Sequence, residues 1–105
     1  MSSNSKNPVV SVTITVDKKA GISVSPDPFF VRKHQDQMVR WTCVANQAFS
    51  VEFTDGSPFY ETQFSRDCPS SGLVRRNIVA DKHRIYKYTV RVGEHILDPG
   101  GGVNK

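Results

Sequence analysis

Apolar and polar residues alternate along most of this chain. Between Gln37 and Val44 the apolar positions Val39, Trp41 and Cys43 are separated by Arg40 and Thr42. A period of two puts one set on a buried sheet face and the other in water. Phe49, Val51 and Phe53 repeat the pattern against Ser50 and Glu52, and Asp55-Gly56 closes the run with a turn dipeptide. These two runs are expected to lie side by side at the centre of a sheet, with Trp41, the sole tryptophan, as the core anchor.

The same pattern predicts strands elsewhere. Over residues 9–16, Val10, Val12, Ile14 and Val16 oppose Ser11, Thr13 and Thr15. Short strands are expected at 22–25 and 29–33, separated by Pro26 and Pro28, which interrupt pairing. Residues 57–64 read as an irregular crossover. A strand is predicted over 73–80 on the apolar set Val74, Ile78 and Ala80. The clearest covers 84–92, where Tyr86, Tyr88, Val90 and Val92 alternate with Lys87, Thr89 and Arg91. Residues 95–99 form a last edge. The domain is expected to occupy 9–99, after a disordered start at 1–8 and before a flexible tail at 100–105 that opens on Gly100-Gly101-Gly102.

Composition sharpens this to an all-β class. Leucine occurs only at Leu73 and Leu97, and no window carries a helical stripe. Roughly seven or eight short strands in one domain read as an antiparallel or mixed β-sandwich, with a closed barrel as the structural alternative. The formal net charge of +4 suits a soluble small domain, and no RNA-binding or zinc-finger motif accompanies it. Nucleic acid is therefore not the expected partner. No apolar run is long enough for a signal peptide or a membrane span. The chain is expected to be cytoplasmic, or exported with its signal already removed.

A family resemblance rests on the order of these elements. Asp27-Pro28, Val31-Arg32-Lys33, Val39-Arg40-Trp41 and Phe49-Ser50-Val51-Glu52-Phe53 are followed by Ser57-Pro58-Phe59, Ser71-Gly72 and Tyr86-Lys87-Tyr88-Thr89-Val90. Over about residues 9–99 this resembles the cupredoxins, small blue-copper electron carriers, and their copper-free relatives. The resemblance implies a cupredoxin-like Greek-key β-sandwich. In the copper-bearing members a histidine opens the strand after the tryptophan strand, and here Phe49 stands there. The cysteine expected two residues after the second aromatic of the Tyr86/Tyr88 pair falls on Val90. Arg91-Val92-Gly93-Glu94 offers no histidine at the expected spacing. Type 1 copper needs two imidazoles and a thiolate in one plane. The resemblance thus implies the fold without that copper site, and no cofactor is expected.

The remaining chemistry is sparse. No nucleophile–base–orienter spacing, nucleophile elbow or phosphate loop is present, so no catalytic residues are predicted. His34 and His83 read as solvated turn residues, and Met38 as partial surface packing. A rebuilt metal site would draw on His95 or Cys68. Cys43 reads first as a small core residue, and a Cys43–Cys68 disulfide stays open because sequence does not supply their separation. Basic residues gather in the last third. Lys87 and Arg91 share the wet face of one strand, and Arg75 joins them if the preceding strand pairs there. The overall expectation is a non-catalytic interaction module that binds another protein. A metal-binding protein, or a binder of an anionic polymer through this basic face, is the alternative.

Overall fold

The structure, a computed structural model, describes residues 9–105, so the start expected to be disordered at 1–8 lies outside the described residues. The strands in chain order are β1 (Val9–Asp17), β2 (Gly21–Ser25), β3 (Phe29–Arg32), β4 (Met38–Cys43), β5 (Ser50–Glu52), β6 (Gln63–Ser65), β7 (Asp81–Lys87), β8 (Thr89–Val92), β9 (His95–Leu97) and β10 (Gly100–Asn104). Two single 3₁₀ turns, Lys33–Gln35 and Val44–Asn46, are the only helical segments among the described residues. The class is all-β.

One layer is the sheet β2-β1-β4, in which β1 runs antiparallel to β2 and parallel to β4. The other is built on a long hairpin. Val92 lies opposite His95, Val90 opposite Leu97, Lys87 opposite Gly100 and Tyr86 opposite Gly101, a register that shifts only beyond Gly101. At the middle of this hairpin the Tyr88 N–H donates to the Pro99 carbonyl at 3.0 Å. So β7–β8 and β9–β10 act as two continuous, kinked strands. Strands β5 and β6 extend the sheet from β8, and β3 extends it from β10 in parallel.

The inward sets of the two layers meet as the alternation predicts. Val12, Ile14, Val39 and Trp41 from the first layer and Phe29, Val31, Val51, Val90 and Val103 from the second are all within 1% of complete burial. Trp41 stacks on Phe64 at 5.0 Å and meets Tyr88 edge-on at 5.7 Å. Offset and edge-on contacts of this kind add about 0.5–1.5 kcal/mol each beyond burial.

Three expectations are corrected. First, the Trp41 strand and the Phe49 run are not neighbours. β4 pairs with β1, while β5 pairs with β6 and β8 in the opposite layer. The turn between them holds Ala45 and Asn46 at positive φ, 57° and 52°, and carries the chain across.

Second, residues 73–80 are not a strand. Val74 makes one isolated bridge to Phe59, and Ile78 N–H turns back to the Arg75 carbonyl at 3.1 Å. Val74 and Ile78 are buried from opposite ends of this turn. The Lys33 ammonium takes the Arg76 and Ile78 carbonyls that a neighbouring strand would have used.

Third, residues 100–105 are not a flexible tail. β10 is an interior strand between β3 and β7, and Gly100 to Val103 are buried. The glycines are needed for space. A Cβ on Gly101 would meet three Phe29 ring carbons, the farthest at 2.6 Å, and one on Gly102 would lie 2.5 Å from the Phe30 ring. The parallel neighbour thus lays its aromatic rings over a strand that has no side chains in the way.

Candidate functional site

Tyr86, Tyr88, Val90 and Val92 point inward, and Lys87 and Arg91 point outward from the same continuous strand run. The face between them is not basic. Thr89 lies midway, with Glu52 as its register partner on β5, and its hydroxyl donates to Asp98 Oδ1 at 2.8 Å. Two carboxylates therefore sit in the row that separates Lys87 from Arg91, and the two cations are about 13 Å apart along the strand at 3.3 Å per residue. Arg75 does not join them, because its segment forms no strand and its N–H donates to the Pro58 carbonyl. The sequence-predicted basic face is a mixed, solvated sheet surface.

The weak metal candidates are also apart. His95 opens β9, and Cys68 follows β6 in a bend. The sheet order β6-β5-β8-β9 separates these strands by three spacings, about 14 Å. Ligands of one ion must come within a few ångströms of each other. His95 instead rests beside the Gly21 turn and lines a cleft of about 470 Å³ with Gln47, Ala48, Val92 and Glu94. No group of three or more His, Cys, Asp or Glu side chains converges among the described residues.

Cys43 and Cys68 are both free thiols, the first buried and the second exposed. Burial pushes the Cys43 thiol pKa up, so this sulfur is held in its protonated form. His34 sits exposed in the 3₁₀ turn after β3, as expected, whereas His83 lies within β7 rather than in a turn. Met38 is half-buried at the start of β4.

The positions that would carry copper ligands by resemblance belong to the core. Phe49 is 6% exposed and Val90 is fully buried, paired in register with Val51 and Leu97. At the centre, Tyr88 is buried without a hydrogen-bond partner for its hydroxyl, and Trp41 Nε1 is likewise unpaired. Burial pushes the Tyr88 pKa up to about 12, and the nearby Trp41 N–H opposes only part of that shift.

The charge that the sequence dispersed is collected elsewhere. Arg32 ends β3, Asn104 is its register partner on β10, and Asp81 on β7 pairs with Val103. Three neighbouring strands therefore end together. Arg32, Lys82, His83, Asn104 and Lys105 surround a cleft of about 540 Å³, with Asp81 the one acidic residue lining it. Asp81 Oδ1 accepts the His83 backbone N–H at 2.9 Å. A separate cleft of about 360 Å³ is lined by Lys33, Asp36, Tyr60, Leu73 and Arg76. Tyr60 is 63% exposed, and its hydroxyl accepts the Arg76 N–H at 3.3 Å. Adjacent Lys82-His83 was a local signal of this grouping, but nothing local joined it to Arg32 or Lys105.

Compared with known proteins, the chain matches no family model, no curated protein and no solved structure. No helix among the described residues is long and apolar enough to cross a membrane.

Proposed function

We propose that this chain is a non-catalytic interaction module on a cupredoxin-like, Greek-key β-sandwich that lacks a type 1 copper centre and acts by binding another protein. The observation that carries the copper-free part of this reading is the pair Phe49 and Val90, and the interaction role is the class left once no catalytic constellation is found in the sequence. The two positions where the resemblance would demand an imidazole and a thiolate are occupied by apolar side chains sealed into the core. Neither offers a lone pair, and restoring one would bury an unpaired polar group. The mixed sheets, with β1 parallel to β4 and β3 parallel to β10, are consistent with this architecture. The dispersal of His95 and Cys68 across the sheet weighs against a rebuilt site drawn from both.

The test is a titration of the reduced protein with Cu(I) and Cu(II), following visible absorption and metal bound per chain. Weak, colourless binding is the expected result. An intense blue thiolate band, or tight one-to-one binding, would overturn the reading.

A further inference from the structure

The basic cleft at the end of β3, β10 and β7 stands apart from the copper question and does not depend on the fold family. We propose that it is a binding site for a phosphate or sulfate ester of a small organic molecule, held chiefly by Arg32 and Lys82.

The placement follows from register. Arg32 and Lys82 lie on strands separated by one interior strand and are staggered by about two residues in register, so their backbones are about 12 Å apart. Both are exposed and line the same cleft. Side chains of that length can converge on one oxyanion between them. The Arg32 guanidinium offers a planar fork suited to two oxygens of a tetrahedral oxyanion, and Lys82 adds a point charge. His83 and Lys105 stand on the same rim. Asp81 Oδ1 accepts the His83 backbone N–H, and this single carboxylate is the one opposing side-chain charge on the rim against Arg32, Lys82 and Lys105.

A carboxylate ligand would leave much of this donor set unused. A phosphate monoester carries about −1.5 to −2 charge and three acceptor oxygens, which suits a fork and a point charge approaching from different strands. The cleft, at about 540 Å³, is much larger than the oxyanion alone. The Ala80 wall, half-buried, is available to the organic part of the ester.

Lys33 beside it is not a competing free charge, because its ammonium is tied to the Arg76 and Ile78 carbonyls. That tie anchors the turn of residues 75–78 against the end of β3, directly beside Arg32.

The experiment is a titration of the ¹⁵N-labelled full chain with glucose 6-phosphate, glucose 6-sulfate and unmodified glucose, followed by amide shifts at low and moderate salt. Shifts centred on residues 32, 80–84 and 104, saturating with either ester and absent with glucose, are expected. The tighter ester identifies the source of the oxyanion. Arg32→Ala and Lys82→Ala, both at exposed positions, should each weaken binding at least tenfold. Lys19→Ala, a charge removed from the distant β1–β2 turn, should change it less than twofold. Equal weakening by Lys19→Ala, shifts spread over all basic residues, equal binding of glucose, or no saturation by any ester would each overturn the proposal.

Discussion

Gly101 should be among the least replaceable residues in this protein, and the size of the effect follows from the Phe29 ring. A Cβ added there would lie within 2.6 Å of three ring carbons. Non-bonded carbons reach their optimum at about 3.5–4.0 Å, so the ring must retreat by roughly 1 Å or more. It has nowhere to go. Phe29 is fully buried, with ring centroids of Tyr88, Trp41 and Phe59 at 5.7, 6.0 and 6.3 Å. Overpacking a tight core costs about 1–3 kcal/mol, and expelling a core phenylalanine about 3–5 kcal/mol. Gly101→Ala is therefore expected to destabilise by about 3 kcal/mol. Urea unfolding followed by Trp41 fluorescence measures it, as a midpoint lowered by about 1–3 M at unchanged slope. Phe29→Leu supplies the control. With the ring gone, the added methyl has room, and the double-mutant cycle should show a coupling of about 1 kcal/mol or more. A free tail would behave differently, tolerating alanine or gaining up to about 1 kcal/mol from reduced chain entropy. A Gly101→Ala effect within about 0.5 kcal/mol of zero, or a penalty undiminished in the Phe29→Leu background, would refute the interior placement of β10.

Two further outcomes follow from single groups. Because the Tyr88 pKa is raised to about 12, the unfolded chain loses this proton near pH 10 while the folded chain keeps it. Stability attributable to Tyr88 is thus flat below about pH 10 and falls by roughly 2–3 kcal/mol on approaching pH 12. Tyr88→Phe removes an unpaired hydroxyl and should be neutral or stabilising at pH 7, with a shallower alkaline loss in denaturation midpoints. An equally steep loss in the variant would disprove the assignment. Ser71 is a separate case. Its hydroxyl accepts the Val39 N–H at 2.8 Å and donates to the Gly72 carbonyl, while its own N–H donates to the Val39 carbonyl. It completes the free edge of β4 where no strand does so. Ser71→Ala leaves a buried N–H unpaired and should cost about 1–3 kcal/mol, with faster amide exchange at Val39. Unchanged exchange there would show that the edge is closed by something else.

The inward residues of most strands were legible because alternation is local. Val39, Trp41 and Cys43, or Tyr86, Tyr88, Val90 and Val92, declare their buried face within a few residues of chain, whatever they pair with. The same alternation put Phe49 and Val90 on the buried face, and only the family resemblance made those two positions bear on copper. It failed at 73–80, where Val74 and Ile78 are buried from a turn held by the Lys33 ammonium, a partner about forty residues away. It failed again at Gly100-Gly101-Gly102. A glycine run carries no apolar signal of its own, and its burial comes from the Phe29 and Phe30 rings on β3 and the Ile85 side chain on β7.

Partnership is what the tertiary structure alone decided. Which strand lies beside which, and in what register, depends on residues far apart in sequence. That choice dispersed Lys87, Arg91 and Arg75, drew His95 away from Cys68, and assembled Arg32, Lys82 and Lys105 at one sheet end. A period-two pattern records whether a side chain faces oil or water. It holds no information about which other side chain waits across the next 4.8 Å or so of hydrogen-bonded sheet.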